Sequence, residues 1–195
     1  MYNLFNTHKD MKTRFLLAAM AFTWMMSACG ESNSPKELFN GENLEGWVCV
    51  LDETSAVSTS EVYGVQEGNI HIKGNPFGYM RTSQKYADYT LHVEWRWVGE
   101  GTNSGIFQRV QDGDKLWPNA IECQLCSGKA GDFVMLGGSK IEEMECVEQF
   151  PVFERVGDYE KPVGEWNVAE IRCQGNQITV YINGKLQTAL EFLFQ

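Results

Sequence analysis

Tyr89-Thr90-Leu91-His92-Val93-Glu94-Trp95-Arg96-Trp97 alternates without a break: Leu91, Val93, Trp95 and Trp97 lie on one side of an extended chain, and His92, Glu94 and Arg96 on the other. Successive side chains of a strand point to opposite faces, so this stretch predicts a strand with one apolar and one polar face. Shorter runs of the same kind follow at residues 104–109 (Ser-Gly-Ile-Phe-Gln-Arg), 120–125 (Ala-Ile-Glu-Cys-Gln-Leu), 166–173 (Trp-Asn-Val-Ala-Glu-Ile-Arg-Cys) and 177–182 (Gln-Ile-Thr-Val-Tyr-Ile). Gln174-Gly175-Asn176 predicts a hairpin between the last two, and Asn183-Gly184 is a strong turn signal for another. Beyond the first thirty or so residues no window carries a helical stripe, so the fold class is all-β, and short strands at regular spacing predict a sandwich or barrel. Little chain remains between Lys185 and Gln195, and residues 190–194 (Leu-Glu-Phe-Leu-Phe) are mostly apolar. The expectation is a sandwich lacking its last strands, with an edge open to aberrant pairing.

The other end reads as an export signal. Met11-Lys12-Thr13-Arg14 is a basic start, and residues 15–26 are free of charge and largely apolar. A spanning helix needs roughly 20 apolar residues, so this shorter run, followed at once by polar residues, is a signal rather than an anchor. Met26-Ser27-Ala28-Cys29 resembles the bacterial lipobox, in which the cysteine thiol carries lipid after cleavage, so Cys29 is the expected lipidation site. Residues 1–10 precede the basic start and include Asp10, which places the true start at Met11. Gly30 stands where an aspartate retains some lipoproteins at the inner membrane, which points by analogy to the outer membrane. Residues 29–37 form a lipidated tether closed by Ser34-Pro35, and residues 38–195 form the folded domain. Roughly 155 residues suffice for one domain with a sizeable core.

The formal net charge is −10. That balance argues against a basic face for nucleic acid or anionic lipid, leaving the lipid anchor as the expected membrane contact and a neutral or polar small molecule as the expected partner. Six cysteines are present. With Cys29 lipidated, Cys49, Cys123, Cys126, Cys146 and Cys173 cannot all pair, and buried free thiols are as credible as disulfides. Cys123-Gln-Leu-Cys126 has the spacing of a metal knuckle, but in a strand residues three apart face opposite ways, which disfavours zinc.

A longer pattern runs through the chain: residues 38–47 (Leu-Phe-Asn-Gly-Glu-Asn-Leu-Glu-Gly-Trp), Tyr79-Met-Arg-Thr82, Tyr86-Ala-Asp-Tyr-Thr-Leu91, Glu94-Trp-Arg96, Asn103-Ser-Gly-Ile-Phe107, Ile121-Glu-Cys-Gln-Leu125, Gly128-Lys-Ala-Gly-Asp132, Glu165-Trp-Asn167 and Val180-Tyr-Ile-Asn-Gly184. In order and spacing these resemble the 3-keto-disaccharide hydrolase domain family, over residues 38–186. The resemblance implies a concanavalin A-like jelly-roll β-sandwich and cleavage of glycosides already oxidised to a ketone at carbon 3. Family members continue beyond this point with further strand patterns that are not present here.

A 3-keto substrate sets the chemistry. The carbonyl acidifies the C2 hydrogen and lets the C1 substituent leave by elimination, with water added later. A base must take the C2 proton, a cation or strong donor must hold the enolate oxygen, and an acid must assist the leaving group. The carboxylate pair of ordinary glycosidases is then not required. Glu122 is the first candidate for base, with Gln124 on the same strand face as a hydroxyl contact; Glu94 is the second. Arg96 and Arg109 are candidate enolate stabilisers, although Glu94 with Arg96 also reads as a structural ion pair. Arg81, Asn103, Lys129 and Asp132 lie in turn-rich flanks suited to substrate contacts. His92 shares the polar face of Glu94, whereas His71 is expected at the surface. No cofactor is demanded by the sequence; a divalent cation on Glu94, His92 and Glu122 is one way to hold the enolate.

Among the tryptophans, Trp95 and Trp97 alternate with core positions, and Trp47 and Trp166 sit where packing is expected. Trp117, in Lys115-Leu-Trp-Pro-Asn119, is the expected sugar-stacking platform. The competing reading is a non-catalytic carbohydrate-binding module, because sandwiches host lectins as readily as enzymes; a weaker third is an envelope interaction protein without a sugar site.

Overall fold

In a computed structural model of the protein, residues 34–111, 113–138 and 150–191 are described. They contain twelve strands and one helical turn: β1 (Trp47–Leu51), α1 (Thr59–Val62), β2 (Tyr63–Gln66), β3 (Asn69–Ile72), β4 (Gly78–Thr82), β5 (Tyr89–Trp95), β6 (Gly105–Gln108), β7 (Ala120–Gln124), β8 (Phe133–Leu136), β9 (Val152–Phe153), β10 (Asn167–Gln174), β11 (Gln177–Ile182) and β12 (Lys185–Glu191). Every pairing is antiparallel. One four-stranded sheet runs β12-β11-β10-β5, a second runs β6-β7-β8-β9, and β1-β4 and β2-β3 form two small ribbons.

Period-two patterning decides which faces meet. Along β10 burial alternates strictly, and Ala169, Ile171 and Cys173 face inward with Ile178, Val180 and Ile182 of β11. Ile121 and Cys123 of β7 and Phe133 and Met135 of β8 complete one buried cluster across the two four-stranded sheets, with Leu91 and Trp95 of β5 packed against it. Fully burying each large aliphatic side chain contributes about 1.5–3 kcal/mol, so this shared inner layer holds the sandwich together. It is the all-β sandwich that the resemblance implies, and Glu37–Gln195 forms one compact unit.

Several expectations are refined. The strand at residues 89–97 ends at Trp95, and Trp97 instead donates its indole N–H to Glu160 Oε1 at 3.2 Å. Both hairpins form, and the stretch after Asn183-Gly184 does accommodate a strand, β12, seven residues long and paired along β11 with a bulge at Val180/Tyr181. A single helical turn, α1, interrupts the strands where none is predicted. His71 is half-buried in β3, paired with Gly64, rather than at the surface. Cys49, Cys123, Cys126 and Cys173 are free thiols. Burial in the core pushes the Cys123 thiol up, far from the thiolate that binds metal. Met11, the apolar run at residues 15–26, Cys29, Cys146 and residues 192–195 lie outside the described residues. Within them no helix is long and apolar enough to cross a membrane.

Candidate active site

The second sheet places Glu122, the first candidate for base, on the face turned away from the shared core. In the β6–β7–β8 ladder Glu122 stands opposite Phe107 on one side and Val134 on the other, so these three side chains share that outer face. Ala120, Val134 and Leu136, with Phe107 packed against them, form a second buried apolar cluster there. Glu122 is only 8% exposed, and no hydrogen bond or charge of a described residue acts on its carboxyl alongside that burial. Burial alone pushes its pKa up to about 7, because the apolar surroundings penalise the anion and no cation offsets the cost. Gly105 makes the room: a Cβ at that position would stand 1.8 Å from Glu122 Oε1.

β4 walls one side of this face. Its ladder with β1 continues past Gly78 through the hydrogen bond from Asp52 N to Phe77 O, so Phe77, Tyr79 and Arg81 alternate onto one side of the strand. Tyr79 packs its ring against Phe107, centroids 6.2 Å apart, which places it beside the residue paired with Glu122. Residues 113–119 form a loop that crosses the same side of β4. There Asp114 accepts bonds from Tyr79 Oη (3.1 Å), Arg81 Nε (2.8 Å) and Arg81 Nη2 (3.0 Å). Arg81 holds the Asp114 carboxyl below its usual range, while burial and the bond to Asp114 push the Tyr79 phenol up to about 12. Tyr79 therefore stays a proton donor at any working pH. Farther along the loop, Trp117 meets Phe77 and Phe150, each at a centroid distance of 6.2 Å.

Not all predicted site residues gather here. Glu122, Gln124, Arg81 and Trp117 belong to this face and its rim. Gln124, however, turns its Oε1 to the backbone N–H groups of Leu125 and Cys126, bracing its own loop. Asn103 and Lys129 are exposed in the flanking loops. Asp132 is buried in an ion pair, accepting from the backbone N of Arg155 (2.9 Å) and its Nη1 (3.1 Å), so it is a structural group rather than a substrate contact. Arg109 is also structural. Its φ of +54° turns it out of the strand, and its guanidinium donates to the carbonyls of Ala87 and Gly175, tying the start of β5 to the β10–β11 turn. Replacing it with Gln should lower stability by about 1–3 kcal/mol, through unpaired carbonyls, while the folded fraction keeps its turnover within about twofold.

Glu94, His92 and Arg96 are on the wrong sheet for this site. β5 turns Leu91 and Trp95 to the shared core, so His92 and Glu94 point outward from the first sheet, whereas Glu122 points outward from the second. His92 Nε2 and Glu94 Oε1 pair at 3.2 Å in the open, and Arg96 stacks over Trp166 at 5.0 Å. An open depression nearby is lined by His92, Val168, Glu170, Arg172, Tyr181 and Gly184. Its one acid, Glu170, is already paired with Arg172. The cation set Glu94, His92 and Glu122 is accordingly not brought together, and the described residues contain no cluster of three His, Cys, Asp or Glu suited to a metal. Glu94→Gln should leave turnover within about twofold of wild type, whereas a role as base would cost it at least about a hundredfold.

Sequence reasoning missed Tyr79, Asp114, Gly105 and Phe77. Tyr79 and Gly105 fall inside motif stretches, but only tertiary contact reveals their roles. A family model described as 3-keto-alpha-glucoside-1,2-lyase-like domain matches residues 34–192. Among curated proteins none matches the chain. Two crystal structures of proteins provisionally described as glycosyl hydrolases, both from Parabacteroides distasonis, share its fold. One superposes with a TM-score of 0.57 at 20% identity, covering 80% of this chain and 71% of the other. The second has a TM-score of 0.51 at 25% identity, covering 74% and 72%.

Proposed function

Because the chain belongs to the family of 3-keto-alpha-glucoside-1,2-lyase-like domains, we propose that it cleaves 3-keto-glycosides by elimination, with Glu122 as the base. One observation carries the reading: a glutamate only 8% exposed among apolar side chains, with no partner among the described residues, whose carboxyl is pushed up to about 7 by burial. A desolvated carboxylate is a stronger base than a solvated one, and a pKa close to working pH keeps a useful fraction ionised.

In the proposed sequence Glu122 takes the C2 proton, and the C–H electron pair moves into the C2–C3 bond as the C3 carbonyl oxygen becomes an enolate. Arg81, oriented by its two-point contact with Asp114, supplies positive charge to that oxygen. The enolate then collapses, forming the C1–C2 double bond and breaking the bond from C1 to the leaving oxygen, which accepts a proton from the Tyr79 phenol. The products are the free aglycone and an unsaturated 3-keto sugar, to which water can add at C1. The export reading is part of the proposal: lipidation at Cys29 would hold the domain at the cell envelope, the outer membrane by analogy, where glycosides arrive.

Incubation with a 3-keto-glucoside tests the reaction. Release of aglycone together with an enone absorbance is expected; saturable binding without product would point instead to a carbohydrate-binding module.

A further inference from the structure

We propose that Gln124 reads the C2 hydroxyl of the sugar: its side-chain N–H donates to that oxygen and selects substrates that carry it. The inference rests on the reading of Glu122 as the base, and it adds a specificity-determining residue beside that base. The two side chains are two residues apart along β7, so they leave the strand on the same face. Glu122 also leans toward Gln124. Gly105 stands directly opposite Gln124 in the β6–β7 ladder, and a Cβ at Gly105 would collide with the Glu122 carboxyl. Paired Cβ positions lie about 5 Å apart, so one sugar ring can meet the carboxyl and the amide together.

The amide is held in one orientation. Its Oε1 accepts from the backbone N–H of Leu125 at 3.1 Å and from that of Cys126 at 3.0 Å. A flipped amide would set N–H against N–H, so the network itself decides which end is oxygen. Both hydrogens of Nε2 are left over, and among the described residues nothing accepts them. The Glu122 carboxyl is not their acceptor either, since burial alone acts on it. Gln124 is half-buried rather than sealed in the core, and a donor already braced in this way needs little further ordering to meet a ligand. Substrate chemistry says which oxygen it meets. Glu122 must reach the hydrogen on C2, and the oxygen one bond from that carbon is the C2 hydroxyl. The oxygens at C1 and C3 fall to Tyr79 and Arg81, which come from β4. The hydroxyl stays on C2 throughout the elimination, so the bond holds substrate and transition state alike and acts through binding.

Calorimetric binding of methyl α-D-glucopyranoside, its 2-deoxy counterpart and its 2-amino-2-deoxy counterpart tests the contact without turnover. Wild type should bind the 2-hydroxy compound about tenfold more tightly than the 2-deoxy one, and Gln124→Met should bring the two within about twofold. Any damage to the loop brace falls on both ligands and cancels in that ratio. Gln124→Glu keeps an oxygen for the two backbone N–H groups but replaces the donor with an acceptor. At about pH 6, where the amine is protonated, it should gain at least about tenfold for the 2-amino compound relative to the 2-hydroxy one. Equal binding of the hydroxy and deoxy compounds by wild type, a preference that survives Gln124→Met, no gain in Gln124→Glu, or binding of none of the three overturns the contact. A preference that Gln124→Met abolishes, in a protein whose turnover of a 3-keto-glucoside survives Glu122→Gln, would keep the contact and refute the base assignment instead.

Discussion

Glu122→Gln should lose about a hundred- to ten-thousandfold in turnover and, at pH 8, gain stability. The loss follows because the amide keeps the shape and apolar contacts of the side chain but cannot accept the C2 proton. The gain follows from the same burial. In the unfolded chain the carboxyl titrates near its ordinary value of 4.5, and in the folded protein near 7. Between those values the folded state holds a proton that the unfolded state has released, so stability falls as pH rises through this window. Each pKa unit is worth about 1.4 kcal/mol, giving a penalty of up to about 3 kcal/mol above pH 7 that the amide escapes. Denaturant titrations of both proteins at pH 8 and pH 5 check this. Most of the difference should be present at pH 8 and little of it at pH 5. A mutant less stable than wild type at pH 8 would mean that the carboxylate has a partner after all.

Gly105→Ala should be nearly as damaging, though it adds only one methyl group and replaces no titratable side chain. The added Cβ would fall 1.8 Å from Glu122 Oε1 and 2.5 Å from its Cγ and Cδ, far inside contact distance. Backbone conformation is not the issue, since Gly105 lies in regular β6 and carries no positive φ. The cost is space: either β6 moves away from β7 or the carboxyl swings out of its nest, and overpacking of this kind costs about 1–3 kcal/mol. A displaced base is also a badly aimed one, so kcat should fall at least about a hundredfold, with a smaller change in KM. Steady-state kinetics alongside thermal unfolding separate the two effects. A variant that unfolds earlier but turns over normally would show that Glu122 has no fixed catalytic position.

Much of the framework was legible because its periods are local. The alternation of residues 89–95 and 177–182 survives in β5 and β11, and Gln174-Gly175-Asn176 marks the turn that joins β10 to β11. The pairing of Glu122 with Gln124 on one face was likewise readable from spacing of two. What spacing cannot say is which outer face a polar residue joins. Glu94 and Glu122 look alike in sequence, each polar within an alternating strand, yet they belong to different sheets of the sandwich and point away from each other. Arg109 differs for another reason: its positive φ turns it out of the alternation that Phe107 keeps, which no local pattern announces. Asp132 lies in a turn-rich flank just before β8, as expected, but Arg155, 23 residues on, claims its carboxylate. The Tyr79–Asp114–Arg81 contacts bridge more than thirty residues through a loop without regular structure, and no local pattern announces them.

The central claim is that a desolvated Glu122 removes the C2 proton, and the dependence of kcat/KM on pH for a 3-keto-glucoside tests it most directly. The base must be ionised, so the rate should climb tenfold per pH unit below a midpoint near 7 and level off above it. A profile that is already flat at pH 5.5, with its midpoint near the ordinary carboxylate value, would contradict the assignment.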